Sequence, residues 1–163
     1  MILVTPGFAF ATTTNTLVSR TIGAGHPEQV FDTITKIMKN CIICIIPIIL
    51  VIMIFPIQVA SIYTDDINFA QMVVPSIYVI CLSTILQGIG YVYFEAVSGT
   101  GNTSAALYLE AAILVVYTIY IWIMSSTSTD VHWVWTAEIL YGGLLAIVCY
   151  TYMKMAKWNE KRI

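Results

Sequence analysis

The sequence predicts an all-α integral membrane protein with about five transmembrane helices. Hydrophobic residues make up 59% of the 163 residues and charged residues only 10%, whereas a soluble domain carries roughly 25% charged residues. The few charges separate long uncharged segments, and about 20 helical residues are enough to cross a bilayer core. We therefore treat 1–163 as a single transmembrane region, with spans at approximately 2–22, 40–63, 70–97, 104–125 and 132–154.

The distribution of basic residues predicts the orientation of these spans. All seven lie either near the first connection or in the C-terminal tail: Arg20, Lys36, Lys39, Lys154, Lys157, Lys161 and Arg162. Cytoplasmic loops of membrane proteins are enriched in Lys and Arg. The sequence thus predicts a multi-pass protein of the cell (inner or plasma) membrane, with its first loop and its C-terminus in the cytoplasm.

The first two spans differ in polarity. In the first, the stretch Ile2–Ser19 carries five threonines and Asn15, which predicts a helix that faces other helices or a cavity instead of lipid. The segment His26–Lys39 is amphipathic and is predicted to lie at the membrane surface, with Pro27 in the first turn of a helix. The second span, which contains Pro47 and Pro56, then runs outward.

Polar turns separate the remaining spans. The acidic turn Tyr63–Asp66 is predicted to be external, and Ser98–Ser104 is predicted to be the cytoplasmic exit of the third span. The fourth span then runs out to Ser125–Asp130, and the fifth returns to the basic tail. Aromatic residues near these ends, including Trp133 and Trp135, suit the membrane interfaces.

Three carboxylates interrupt otherwise apolar segments, namely Glu95, Glu110 and Glu138. An acid inside a membrane normally faces a cavity or a partner, and proton relays use such groups. Because no Lys or Arg lies between Lys39 and Lys154, the possible partners are H⁺, Na⁺ or a cationic substrate. The alternative is that Glu95 and Glu138 are solvated near the interfaces and that tyrosine and backbone groups hold Glu110. Gln87, further inward on the third span, either contacts substrate or bridges two helices.

Other functional classes have little support in the sequence. The net charge of −2 argues against nucleic-acid binding, which requires a basic patch. The four cysteines lie inside apolar segments, and neither His26 nor His132 has a metal-ligating neighbour in sequence. We identify no nucleophile–base pair and no phosphate-binding loop, so the sequence predicts neither an enzyme nor a bound cofactor or metal.

Four segments, in order, resemble the multidrug and toxic compound extrusion (MATE) family of antiporters. Val18–Gly25 resembles a helix exit of that family that ends in Gly-Ala-Gly, and Tyr63–Asp66 resembles its external turn. Glu95–Thr103, with the run Gly99-Thr100-Gly101-Asn102-Thr103, resembles the exit of the tenth helix. Trp135–Glu138 resembles the entry to the twelfth. The order, spacing and sidedness of these segments all agree with the family.

The resemblance implies that the five spans correspond to helices eight to twelve of a twelve-helix transporter built from two six-helix bundles. Such a transporter exchanges an organic cation or another drug for H⁺ or Na⁺. Members of the family often hold a coupling acid in the tenth helix, at a position we place at about Gln87. Since Gln87 is not acidic, Glu95, Glu110 and Glu138 are the hypothetical coupling residues.

The resemblance also implies partners and leaves alternatives open. Membrane lipid, a cationic drug-like molecule and a missing N-terminal half or partner chain are the expected partners, and the chain alone is expected to be inactive. It is interpreted as a truncated reading frame or as half of a split transporter. The alternatives are a flippase for lipid-linked oligosaccharides and a non-transporting scaffold or partner subunit. A flippase cavity is expected to carry Arg or Lys for the diphosphate, and the sequence has neither between Lys39 and Lys154.

Overall fold

The computed structural model describes residues 4–127 and 130–155, and within these ranges the chain is helical with no strand. Its elements are α1 (Thr5–Gly23), a 3₁₀ turn (Pro27–Gln29), α2 (Val30–Ile54), α3 (Pro56–Ala60), α4 (Ile67–Gly99), α5 (Thr103–Thr127) and α6 (Val131–Met155). The predicted all-α class is confirmed. The C-terminal basic residues Lys157, Lys161 and Arg162 lie outside the described residues.

The two glycine-containing exits have the same backbone conformation. Gly25 follows α1 and Gly101 follows α4, and both have φ of +82°. This left-handed conformation is accessible to glycine without the steric cost that a Cβ adds. The second glycine of Gly-Ala-Gly and of Gly-Thr-Gly therefore lets the chain turn sharply out of its helix.

Helix α2 differs from the sequence prediction at both ends. It begins at Val30 instead of near 40, and no break separates the amphipathic segment from the second span. The reason is a continuous stripe of side chains buried against the bundle, spaced three or four residues apart: Val30, Ile34, Ile37, Cys41, Ile45 and Ile49. At its other end, α2 stops at Ile54. Phe55 leaves the helical region because it precedes Pro56.

Helix α4 is the central element of the bundle. Its first turn is capped by the side chain of Asp66, which accepts hydrogen bonds from the backbone N–H groups of Asn68 and Phe69. Pro75 lies inside this helix. α4 packs most extensively against α6 and next against α1. Residues of α1, α2, α4, α5 and α6 share one buried cluster around Val92, Val97 and Leu145.

Four of the helical segments are long and apolar enough to cross a membrane: Pro27–Ile54, Ile67–Gly99, Thr103–Thr127 and Val131–Met155. α1 is not among them, because its threonines and Asn15 lower its hydropathy. Helix α1 lies where the first span was predicted, but that it crosses the membrane remains a prediction. The observed α5 and α6 agree with the predicted fourth and fifth spans to within two residues at each end.

Candidate ion-coupling site

Glu138 joins three helices within the apolar bundle. From α4, Gln87 Nε2 donates a hydrogen bond to Glu138 Oε2 at 2.6 Å. From α5, the Tyr117 hydroxyl donates to Glu138 Oε1, also at 2.6 Å. Gln87 is only 6% exposed, and Glu138 is half-buried. We call Glu138, Gln87 and Tyr117 the carboxylate node.

Glu138 lies well within α6, a helix that is long and apolar enough to cross a membrane. Glu138 lies seven residues after Val131, the first residue of α6, which is about 10 Å along the helix. Hydrogen bonds from Gln87 and Tyr117 replace the water that would otherwise solvate its two oxygens. The node has no basic residue because the whole sequence has none between Lys39 and Lys154.

Close packing of α4 against α6 holds the node in place. Gly142 lies one turn after Glu138, and a Cβ added there would be 2.7 Å from the backbone N of Gln87 and 3.0 Å from its Cγ. A Cβ on Gly90 would similarly lie 3.0 Å from the carbonyl oxygen of Gly142. Small residues let membrane helices approach in this way. The approach brings Gln87 within reach of Glu138.

A cluster of tyrosines lies beside the node. The rings of Tyr117 and Tyr141 meet edge to face at a centroid distance of 5.6 Å, and Tyr141 and Tyr91 do so at 6.3 Å. Tyr91 in turn stacks on Phe8 of α1 at 4.6 Å. Tyr91 lies one turn from Gln87 and one turn from Glu95, so these three side chains share one face of α4.

Glu95 is held by a separate contact. Asn15 Nδ2 of α1 donates to Glu95 Oε2 at 2.7 Å. One turn further along both helices, the Ser19 hydroxyl donates to the carbonyl oxygen of Gly99 at 2.9 Å. Glu95 lies eight residues from Gln87 on α4, about 12 Å away along the helix axis. Glu95 therefore belongs to a contact between α1 and α4 and not to the carboxylate node.

Glu110 differs from the other two acids. It is half-buried on α5, two turns before Tyr117 and on the same side of that helix. Within residues 4–127 and 130–155, its carboxylate has neither a hydrogen bond nor an ion pair. It is close enough to interact electrostatically with Tyr91, Tyr141 and Cys149. Glu110 thus lies beside the tyrosine cluster without a direct hydrogen bond to it.

A comparison with known protein families decides the class of the molecule. A family model described as MatE matches residues 1–123, about three quarters of the 163-residue chain. The chain belongs to the MatE family. Comparisons with curated proteins and with solved structures gave no match.

Membership of the MatE family confirms the resemblance seen in the sequence motifs. The chain is a MATE-type α-helical membrane protein of a family of transporters, not of enzymes. The match includes Gln87, Glu95 and Glu110 but ends before α6, so Glu138 lies beyond it. Within the described ranges, no group of three His, Cys, Asp or Glu side chains is placed to hold a metal ion.

The structure brings together two of the four residues singled out from the sequence, Gln87 and Glu138. Their hydrogen bond joins α4 to α6, and a contact of Gln87 with substrate stays a prediction. Sequence reasoning missed Tyr117 and Asn15 as hydrogen-bond partners of the acids. Tyr117 carries no special signal because it is one of ten tyrosines in the chain. Asn15 was recognised only as a polar residue of an inward-facing helix.

Proposed function

We propose that this chain forms part of a proton-coupled exporter of organic cations or other drug-like molecules, in which Glu138 is the coupling carboxylate. The observation that supports this proposal is the carboxylate node. Glu138 is an intramembrane acid whose two oxygens accept hydrogen bonds from two different helices. Intramembrane acids of this kind mark ion pathways and proton relays in transporters.

Protonation of Glu138 changes the hydrogen bonds of the carboxylate node. A carboxylate accepts from both donors, whereas a protonated carboxyl group has one O–H donor of its own. If the proton binds Oε1, the Tyr117 hydroxyl can turn to accept the new O–H, while Oε2 still accepts the hydrogen bond from the Gln87 amide. Proton binding at this oxygen therefore keeps the hydrogen bond between α4 and α6 and reverses the hydrogen bond that attaches α5.

The chemistry of the node supports H⁺ over Na⁺ as the coupling ion. Hard metal cations are bound by several oxygen ligands, whereas one Glu138 oxygen faces the Gln87 amino group in this arrangement. A proton needs only one oxygen of the carboxylate. The substrate is proposed to be cationic because the chain has no Lys or Arg between Lys39 and Lys154, whereas Glu95, Glu110 and Glu138 all lie in this region.

An efflux assay with matched charge variants tests the role of Glu138. Drug-sensitive cells expressing the full-length protein, together with any chain that completes the transporter, would be loaded with a fluorescent organic cation. We expect Glu138→Gln to reduce pH-driven efflux at least tenfold, because Gln cannot bind the proton. Glu28→Gln is the control, since it removes the same charge from an exposed position outside the bundle.

Several outcomes would contradict the proposal. Equal efflux by Glu138→Gln and Glu28→Gln, at equal protein levels in the membrane, would exclude Glu138 as the coupling residue. Efflux by Glu138→Gln that still follows the pH gradient would do the same. Unchanged function after Glu95, Glu110 and Glu138 are all replaced by Gln would favour the non-transporting scaffold.

A further inference from the structure

An apolar groove lies between α5 and α6, toward the C-terminal end of α6. Its volume is about 460 Å³, within the range of sites that take small ligands. Leu109 of α5 forms one wall, and residues of α6 form the other: Ile147, Val148, Thr151, Tyr152 and Met155. Ile147 and Met155 are eight residues apart, so the groove runs about 12 Å along α6. A groove of this length suits an extended hydrocarbon chain.

The groove lies beside a weakly packed part of α5. Of the residues of this helix, Ala106 and Ile113 are the buried ones. On the opposite wall, Ile147 is 65% exposed. The loop before α5 is attached to α6 by a hydrogen bond of 2.6 Å, in which Asn102 Nδ2 donates to the Tyr152 hydroxyl. Protein therefore covers the groove incompletely, although both helices are held at this end.

Two hydrogen-bond donors border the groove. Lys154 is exposed and lies seven residues after Ile147, so these two side chains share one face of α6. Both ion pairs within 4–127 and 130–155 involve residues other than Lys154. The Tyr152 hydroxyl accepts the hydrogen bond from Asn102, which leaves its own O–H able to donate. An ammonium group and a hydroxyl group together can bind the oxygens of a phosphate.

The charge next to the groove is basic. Lys154 is followed in the sequence by one acid, Glu160, and by three more basic residues: Lys157, Lys161 and Arg162. On α5, the acid nearest in sequence to Leu109 is Glu110, which interacts with the buried Cys149. Basic segments that follow a membrane helix attract the anionic lipids of the cytoplasmic leaflet. The side predicted to be cytoplasmic is therefore also the side that suits an anionic head group.

We propose that this groove, which we call the lipid groove, binds one anionic phospholipid. An acyl chain lies against Ile147, Val148 and Met155, and the phosphate lies at Lys154 and Tyr152. The chain contributes van der Waals contacts to walls that protein leaves uncovered. A zwitterionic lipid also carries a phosphate, but its own cation offsets the attraction to Lys154. The site therefore prefers an anionic head group, and the bound lipid fills the space between α5 and α6.

The lipid groove is separate from the carboxylate node. Thr151, which lines the groove, lies 13 residues after Glu138 on α6, or about 20 Å along the helix. Lipid binding therefore does not require that Glu138 take up a proton, and it goes beyond the proposed function. Glu138→Gln is expected to leave lipid binding unchanged, so that either proposal can fail without the other.

Native mass spectrometry of the purified full-length protein, titrated with one lipid at a time, tests the head-group preference. Phosphatidylglycerol and phosphatidylcholine with the same acyl chains are the probes, and we expect phosphatidylglycerol to bind more tightly. Lys154→Gln should weaken its binding about fivefold, the contribution of one basic residue near an anionic surface, and leave phosphatidylcholine unaffected. Lys39→Gln is the charge control, because Lys39 is exposed on α2 and does not line the groove.

A second pair of variants tests the groove itself. Ile147→Trp places a larger side chain in the groove and should weaken the binding of phosphatidylglycerol at least as much as Lys154→Gln. Leu107→Trp is its control, because Leu107 is 64% exposed on α5, much like Ile147 at 65%, but does not line the groove. All four substituted side chains are exposed, so the circular dichroism of the variants should match that of the wild type.

Four results would overturn the lipid groove. Equal affinity for the two lipids would remove the head-group preference. An equal loss in Lys39→Gln would reduce the effect of Lys154 to general surface charge. Unchanged binding of phosphatidylglycerol to Ile147→Trp would show that the head group binds without the groove. A protein dimer that dissociates in Ile147→Trp but not in Leu107→Trp would assign this surface to a second copy of the chain.

Discussion

At the scale of single residues, the Tyr117 hydroxyl is the group that attaches α5 to the carboxylate node. Only Ala106 and Ile113 of α5 are fully buried, so few apolar contacts fix this helix to its neighbours. A hydrogen bond to a carboxylate is stronger than one between neutral groups. The contact between Tyr117 and Glu138 is therefore expected to matter for the stability of the bundle as well as for coupling.

Replacing Tyr117 with Phe removes this hydrogen bond and leaves the ring. We expect the free energy of unfolding to fall by about 1 kcal/mol, in the range measured for hydrogen bonds between membrane helices. Titration with sodium dodecyl sulfate, followed by circular dichroism of the purified protein, measures the change. Tyr108→Phe is the control, because Tyr108 lies on the same helix but is 74% exposed. Equal stability of Tyr117→Phe and Tyr108→Phe would show that the hydrogen bond contributes nothing net.

The acids themselves were predictable from the sequence, but their partners were not. Glu95, Glu110 and Glu138 are conspicuous because each interrupts an apolar segment. Whether a given acid meets Asn15, Gln87 or Tyr117 depends on the rotation of each helix about its axis. These partners lie 80, 51 and 21 residues away along the chain from the acids they bind. No local pattern encodes a contact between residues that far apart.

At the scale of helices, the interface between α4 and α6 depends on glycine. α6 carries Gly142 and Gly143 in succession, but only Gly142 faces α4. A Cβ at Gly142 would meet the backbone of Leu86 and Gln87, whereas a Cβ at Gly143 would have nothing within 4 Å. The two adjacent glycines thus provide a matched pair for testing how closely the helices must approach.

Gly142→Ala is expected to destabilise the protein by about 1–3 kcal/mol, the usual cost of overpacking a close-packed interior. It should also lower pH-driven efflux, because the added methyl group pushes Gln87 away from Glu138. Gly143→Ala should leave both properties close to wild type. Detergent unfolding and the efflux assay, performed on both variants, measure these effects. Loss of stability in Gly143→Ala but not in Gly142→Ala would contradict the packing of α6 on α4.

Helix boundaries were predictable where polarity changes abruptly and not where it changes gradually. α5 and α6 begin and end within two residues of their predicted bounds, because uncharged segments there meet polar turns. Asp32, Lys36 and Lys39 of α2 were interpreted as a boundary between a surface helix and a span. In the structure the charges lie on one continuous helix, with Lys36 paired to Asp32 at 2.6 Å. Burial of its opposite side against α1 and α4 keeps that helix intact.

At the scale of the whole molecule, the membrane topology is predicted from two features: the ends of the helices and the basic residues that lie near those ends. Since α2 starts at Val30, ten residues before the predicted span, it extends about 15 Å beyond the predicted membrane boundary. Lys36 and Lys39 lie in this extension, on the same side as Arg20 and Lys154. The helices then alternate in direction so that the loop before α4 and the loop before α6 share the other side.

Labelling of single cysteines in intact cells tests this topology, including the crossing by α1. In a background without Cys41, Cys44, Cys81 and Cys149, a membrane-impermeant maleimide should label Asp65→Cys and Ser126→Cys directly. It should label His26→Cys and Thr103→Cys only after permeabilisation, because these positions lie on the side of the basic residues. All four side chains are exposed in the structure.

The fifth crossing depends on one further variant, Thr5→Cys at the start of α1. If α1 crosses the membrane, Thr5 and His26 lie on opposite sides, and Thr5→Cys should be labelled in intact cells. The threonines of α1 make it too polar to qualify as a span by hydropathy. A membrane can still accommodate them, because their hydroxyls donate hydrogen bonds to backbone carbonyls within the helix. Thr12, Thr13 and Thr14 each bond the carbonyl oxygen four residues earlier. Labelling of Thr5→Cys only after permeabilisation would instead place both ends of α1 in the cytoplasm and limit the described part of the chain to four crossings.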